Sequence, residues 1–112
     1  MVHTVRFIHK GDAIDYTPGE AVSAGQVVAS NDLLGVAKLD IAAGALGALA
    51  VTGVFDFPKG TGSASAIAAG KKVYWDEDEE IATETAEGNT ALGKTIKAAA
   101  VDDETVRVRM SQ

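Results

Sequence analysis

A chain of 112 residues has room for one domain and one modest core, so a single β domain over residues 1–112 is expected. Cysteine is absent, which excludes disulfides and thiolate metal sites; no apolar stretch reaches spanning length, so neither a membrane segment nor a secretion signal is expected. Acidic residues number 16 against 10 basic, a net charge of −6, which argues against a nucleic-acid partner because binding phosphates requires a basic face.

The dominant period along the chain is two. Val5 and Phe7 alternate with Arg6; after a turn at Lys10-Gly11-Asp12, Ile14 and Tyr16 alternate with Asp15. This reads as a hairpin with one apolar face. The lead, residues 1–10, is either that hairpin's first strand or an N-terminal arm or edge strand that pairs with another protein. Pro18-Gly19 breaks the pattern. A short strand is expected over Gln26–Ala29, a turn at Ser30-Asn31-Asp32, and an extended run over Leu33–Ile41, closed at Ala43-Gly44.

From Gly47 to Phe57 the alternation is clearest, with Leu49, Val51, Gly53, Phe55 and Phe57 on one face. Both faces are fairly apolar, which predicts a strand that is central or buried against a partner, ended by Pro58. Between Gly60 and Gly70, Ser63 either caps one short helix through Ala69 or the segment is a loop. Lys71–Trp75 and Ile81–Thr83 are expected to pair across the acidic turn Asp76–Glu80, and Ala91–Ala100 with Thr105–Met110 across Asp102-Asp103-Glu104. In the last strand Val106, Val108 and Met110 face inward. Arg107 and Arg109, with Lys94 and Lys97, then form the outward face of two strands.

A faint repeat runs through this plan. Ala24-Gly25-Gln26-Val27-Val28 resembles Ala69-Gly70-Lys71-Lys72-Val73, and Leu34-Gly35 matches Leu92-Gly93. Two β-rich halves predict an all-β fold, a small barrel of the clip or tulip type built from short antiparallel strands. Its core is made of small aliphatics, since aromatics are only 5% of the chain, and it leaves apolar surface for association.

Gly88 to Thr95 reads G-N-T-A-L-G-K-T, a full match to the phosphate-loop pattern. That loop works between a buried strand and a helix whose N–H groups converge on phosphate. Here the approach, Asp76 to Glu87, is too acidic for a central strand. Only Ile96–Gln112 remains downstream, whereas a crossover unit takes roughly 30 residues. The match is read as coincidence: a turn at Gly88-Asn89, a small residue in a strand at Gly93, and a solvated Lys94. A nucleotide-binding protein is disfavoured.

Other constellations are equally bare. Asp76–Glu80 lacks the spaced ligands and turn glycine of a calcium loop. His3 and His9 have no orienting carboxylate, and no serine sits in a nucleophile setting. No catalytic residue, cofactor or metal is expected. The candidate functional residues are interface ones: Val5 and Phe7 in the lead, and the large apolar side chains Phe55, Phe57 and Trp75.

The order of phrases across the chain carries a resemblance. Gly11-Asp12, Ser23-Ala24-Gly25-Gln26-Val27-Val28, Leu34-Gly35-Val36-Ala37, Val51-Thr52-Gly53-Val54-Phe55 and Ala69-Gly70-Lys71-Lys72-Val73-Tyr74-Trp75-Asp76 succeed one another, followed by Gly88-Asn89 and Leu92-Gly93. This is similar to the small head proteins of tailed bacteriophages known as capsid cement or decoration proteins. The resemblance implies a non-enzymatic virion protein on the outer capsid surface. It also implies a major capsid protein as partner, a homotrimer, and an N-terminal arm that touches the coat. The phrase Ala-Gly-Gln-Val-Val before Asn-Asp-Leu also resembles antifreeze-like clip domains, so a small-ligand or sugar-binding module is the alternative. A cleft lined by aromatics and paired carboxylates would favour that alternative.

Overall fold

The computed structural model describes residues 5–60 and 66–112. Nine strands follow one another, with no helix among the described residues: β1 (Ala13–Tyr16), β2 (Val27–Ser30), β3 (Leu33–Val36), β4 (Gly47–Ala50), β5 (Gly53–Pro58), β6 (Lys72–Asp76), β7 (Ile81–Thr83), β8 (Thr90–Thr95) and β9 (Thr105–Met110). They form two antiparallel sheets, in the orders β1-β4-β3-β2 and β5-β9-β8-β6-β7. The fold is all-β. The segment in which a helix was expected begins in residues 61–65, outside the described residues. Its later part is extended, with Ile67 and Ala99 exchanging both backbone hydrogen bonds at 2.9 and 2.8 Å.

The expected barrel does not close. β7 comes round to the chain just beyond β5, yet a single parallel bridge, Lys59 to Ala82, spans the gap. A three-residue strand carries little ladder, and Pro58 has no N–H to donate, so the seam stays open. The result is a small sandwich-like body whose described shape measures 53 × 39 × 23 Å. Its short dimension suits two sheets about 10 Å apart plus their outward side chains.

Three expectations from alternation are corrected. Val5 and Phe7 do not pair with Ile14 and Tyr16; β1 pairs instead with β4, Ile14 opposite Leu49 and Tyr16 opposite Gly47. The run Gly47–Phe57 is not one strand. It leaves the first sheet after Ala50 and enters the second at Gly53, whose φ of +125° turns the corner without the penalty a Cβ would bring. Alternation continues across this corner, which is why both faces look apolar: β4 covers one sheet and β5 the other. Leu33–Ile41 is likewise strand only to Val36, after which Ile41 makes an isolated pair with Val22.

The repeat is structural. Each half starts with an edge strand (β1, β5) and passes an isolated bridge residue (Val22, Ile67). It then turns at a glycine of positive φ (Gly25 at +88°, Gly70 at +79°). The same hydrogen bonds follow: Gly25 N–H to Ala37 O and Ala37 N–H to Gln26 O in one half, Gly70 N–H to Thr95 O and Thr95 N–H to Lys71 O in the other. The strand order β1-β4-β3-β2 is repeated as β5-β9-β8-β6, and β7 is an addition to the second half alone.

The larger core lies between the sheets and gathers Leu34, Val36, Phe57, Trp75, Leu92, Val106, Val108 and Met110. A smaller cluster of Val22, Ala37, Ile41 and Leu49 fills the far side of the first sheet. Gln112 ties the halves together: its Oε1 accepts the N–H of Leu34 at 2.7 Å and its Nε2 donates to the carbonyl of Leu34 at 2.8 Å, as a paired strand residue would.

Candidate functional site

The phosphate-loop string lies across a turn and a strand. Gly88 and Asn89 occupy the turn, where Asn89 Nδ2 donates to Thr85 O at 2.9 Å, and Thr90 to Thr95 are β8. In a strand successive N–H groups point to opposite sides, so they cannot converge on one anion. Gly93 is there because β8 approaches β9 closely: a Cβ at this position would stand 2.1 Å from Arg109 O. Lys94 is exposed. The Thr95 hydroxyl is buried and used structurally, accepting the Lys71 N–H at 3.0 Å and donating to Ala68 O at 2.7 Å.

The acidic turn is organised by its own backbone. Asp76 Oδ1 accepts the N–H groups of Asp78 and Glu79 at 3.0 and 3.2 Å, and Glu77 Oε2 accepts the Trp75 indole N–H at 3.0 Å. Among the described residues no group of three or more His, Cys, Asp or Glu is placed to hold a metal. His9 is exposed, and His3 lies outside the described residues.

Of the candidate interface residues, Phe57 and Trp75 are 2% and 5% exposed and belong to the core. Their rings meet edge-on at 6.1 Å, and Phe55 packs edge-on against Phe57 at the same distance. Phe55, Phe57 and Trp75 line a cleft of about 260 Å³ between the sheets, closed on the other side by Val27 and Val36. Its carboxylates are not paired with each other. Asp56 receives both Arg107 Nε (3.0 Å) and Nη2 (3.2 Å), and Glu80 sits on the hairpin turn. The cleft thus has the aromatic lining asked of a sugar module, while its Asp56 carboxylate is engaged by Arg107.

The lead is different. Val5, Phe7 and Ile8 are 98, 80 and 71% exposed, and no described strand pairs with them. Three large apolar side chains in four consecutive residues, left in water, are unusual for a surface that meets only solvent. The lead joins β1 through the turn at Gly11-Asp12, and Ala13 at the start of β1 lines a second cleft of about 350 Å³. Leu39 and Leu46, both exposed, line that cleft together with the buried Ile41 and the exposed Ala48. β1 is also an edge strand, its outer side unpaired within the first sheet. The arm leads through the Gly11-Asp12 turn into the free-edged strand β1, whose first residue lines the leucine cleft. Alternation in the lead was legible in the sequence; Leu39 and Leu46 were missed because loop residues show no period.

Comparison with curated proteins and with solved structures gives no significant match in either. A family model described as phage cement protein matches residues 8–110, from the end of the arm to the last residue of β9. An all-β body with an unburied apolar arm and no assembled reaction centre among its described residues is consistent with that match, and the chain belongs to the phage cement protein family.

Proposed function

We propose that this chain binds the outer surface of the assembled phage head as a homotrimer, without catalysis, and stabilises the coat lattice. The observation that carries the proposal is the exposed apolar arm, with Val5, Phe7 and Ile8 in water, leading into the free-edged strand β1. An extended apolar segment of this kind gains main-chain hydrogen bonds by adding to a sheet edge of a partner, and its alternate side chains enter pockets there.

The partner is the major capsid protein. A ligand that binds the assembled shell and not the free subunit stabilises the shell by mass action. Three arms on one trimer turn weak individual contacts into high avidity, because the second and third bind at high effective concentration.

Heating undecorated heads with increasing amounts of the protein tests this. The disruption temperature should rise and level off once a fixed number of copies per shell has bound. A disruption temperature that never moves would refute the role.

A further inference from the structure

We propose that the cationic row Lys72, Lys94 and Arg109 on the five-stranded sheet receives the acidic β6–β7 turn of a second copy of this chain. The register puts Lys72 directly opposite Lys94, and Lys94 directly opposite Arg109. Like charges facing one another across strands are destabilising, so three in a row weaken the isolated sheet. All three side chains are exposed, and among the described residues none has an ion pair.

The fold does not demand cations there. In the four-stranded sheet the equivalent row, with the same pairings, is Val27 opposite Val36 and Val36 opposite Ala50. The repeat therefore supplies an internal control: one row is apolar and packed, the other charged and open. In a chain of net charge −6, three of its 10 basic residues are held side by side on one face.

The complementary feature is the turn that the second half alone possesses. Asp76 and Glu77 are engaged by the turn N–H groups and by Trp75, while Asp78, Glu79 and Glu80 are exposed without a cationic partner among the described residues. Lys72 and Asp76 stand at opposite ends of β6, roughly 13 Å apart at the rise of a strand. That exceeds the screening length of about 8 Å at physiological salt, so tip and row do not neutralise each other within one chain. A second copy removes the separation. Since donor and receiver are different surfaces, each copy gives one contact and receives one, and a closed ring leaves no row or tip unmatched. The proposal rests on the self-association proposed above and not on head binding.

Two charge reversals test it, Lys94→Glu with Arg109→Glu on the row and Asp78→Lys with Glu79→Lys on the tip. All four positions are exposed, and circular dichroism checks that the strands persist. Mass is followed by light scattering after size exclusion over a dilution series. Each reversal alone should weaken self-association by about tenfold or more, as should raising salt from about 0.05 to about 0.5 M. The chain carrying both reversals should recover to within about threefold of the parent, because the pairing is restored with its signs exchanged. If the parent associates but neither reversals nor salt change its mass, the row is not the contact and the trimer reading survives. A parent that stays monomeric throughout overturns both. If row reversal leaves mass unchanged and abolishes co-sedimentation with heads, the row faces an acidic coat surface and the second copy is excluded as its occupant.

Discussion

A methyl group at position 93 would meet the carbonyl oxygen of Arg109 at 2.1 Å and the N–H of Ser111 at 3.0 Å, both backbone atoms that cannot step aside. Gly93→Ala should therefore force β8 and β9 apart and cost about 3 kcal/mol or more, read from the midpoint of urea unfolding. Gly25→Ala is the comparison: nothing lies within 4 Å of its Cβ position, so only its φ of +88° is penalised, at about 1 kcal/mol. The ion pair of the second sheet offers a pH test. Hydrogen bonds from Arg107 hold Asp56 below the usual carboxylate range; slight burial opposes this, and the charges of Arg107 and Lys97 add to it. A pKa lowered by folding contributes stability that is complete above the unfolded value and lost as pH falls through the folded one. Both side chains are about half exposed, so the effect is small. Asp56→Asn should reduce stability slightly at neutral pH, and the difference from the parent should vanish in strong acid.

Strands were legible where one face of the chain meets the core. Ile81–Thr83 and Thr105–Met110 fall where their alternation puts them, with Val106, Val108 and Met110 inward. Alternation says nothing of which sheet a strand joins, so the corner at Thr52-Gly53 was hidden and β4 and β5 read as one element. The same gap affects the lead: Val5 and Phe7 have the spacing of a paired strand, but spacing names no partner, and β1 pairs with β4 while its other edge stays free. The surface proposed for docking was half legible, since the arm has a period and the Leu39–Leu46 cleft is assembled largely by loops. Removal of residues 1–9 separates fold from function. The truncated chain should unfold within about 0.5 kcal/mol of the parent, because the described part of the arm is largely exposed, yet lose co-sedimentation with heads. Unfolding of the truncated chain would show that the lead belongs to the core.

At the scale of the molecule, the repeat divides labour between its halves. The first carries the exposed arm and the Leu39–Leu46 cleft. The second carries the acidic hairpin, the cationic row and the larger share of the core. The repeat was visible in the sequence through Gly25 and Gly70, which recur because both turns need a left-handed residue. The division of labour was not, because it depends on which positions face each other across strands. Membership of the phage cement family leaves one claim central: the protein recognises the assembled head and not the coat subunit. Mixing it with undecorated heads and, separately, with unassembled coat protein, then sedimenting both, measures that directly. Saturable co-sedimentation with heads and none with free subunits is the predicted result, and equal binding to both, or binding to neither, would contradict it.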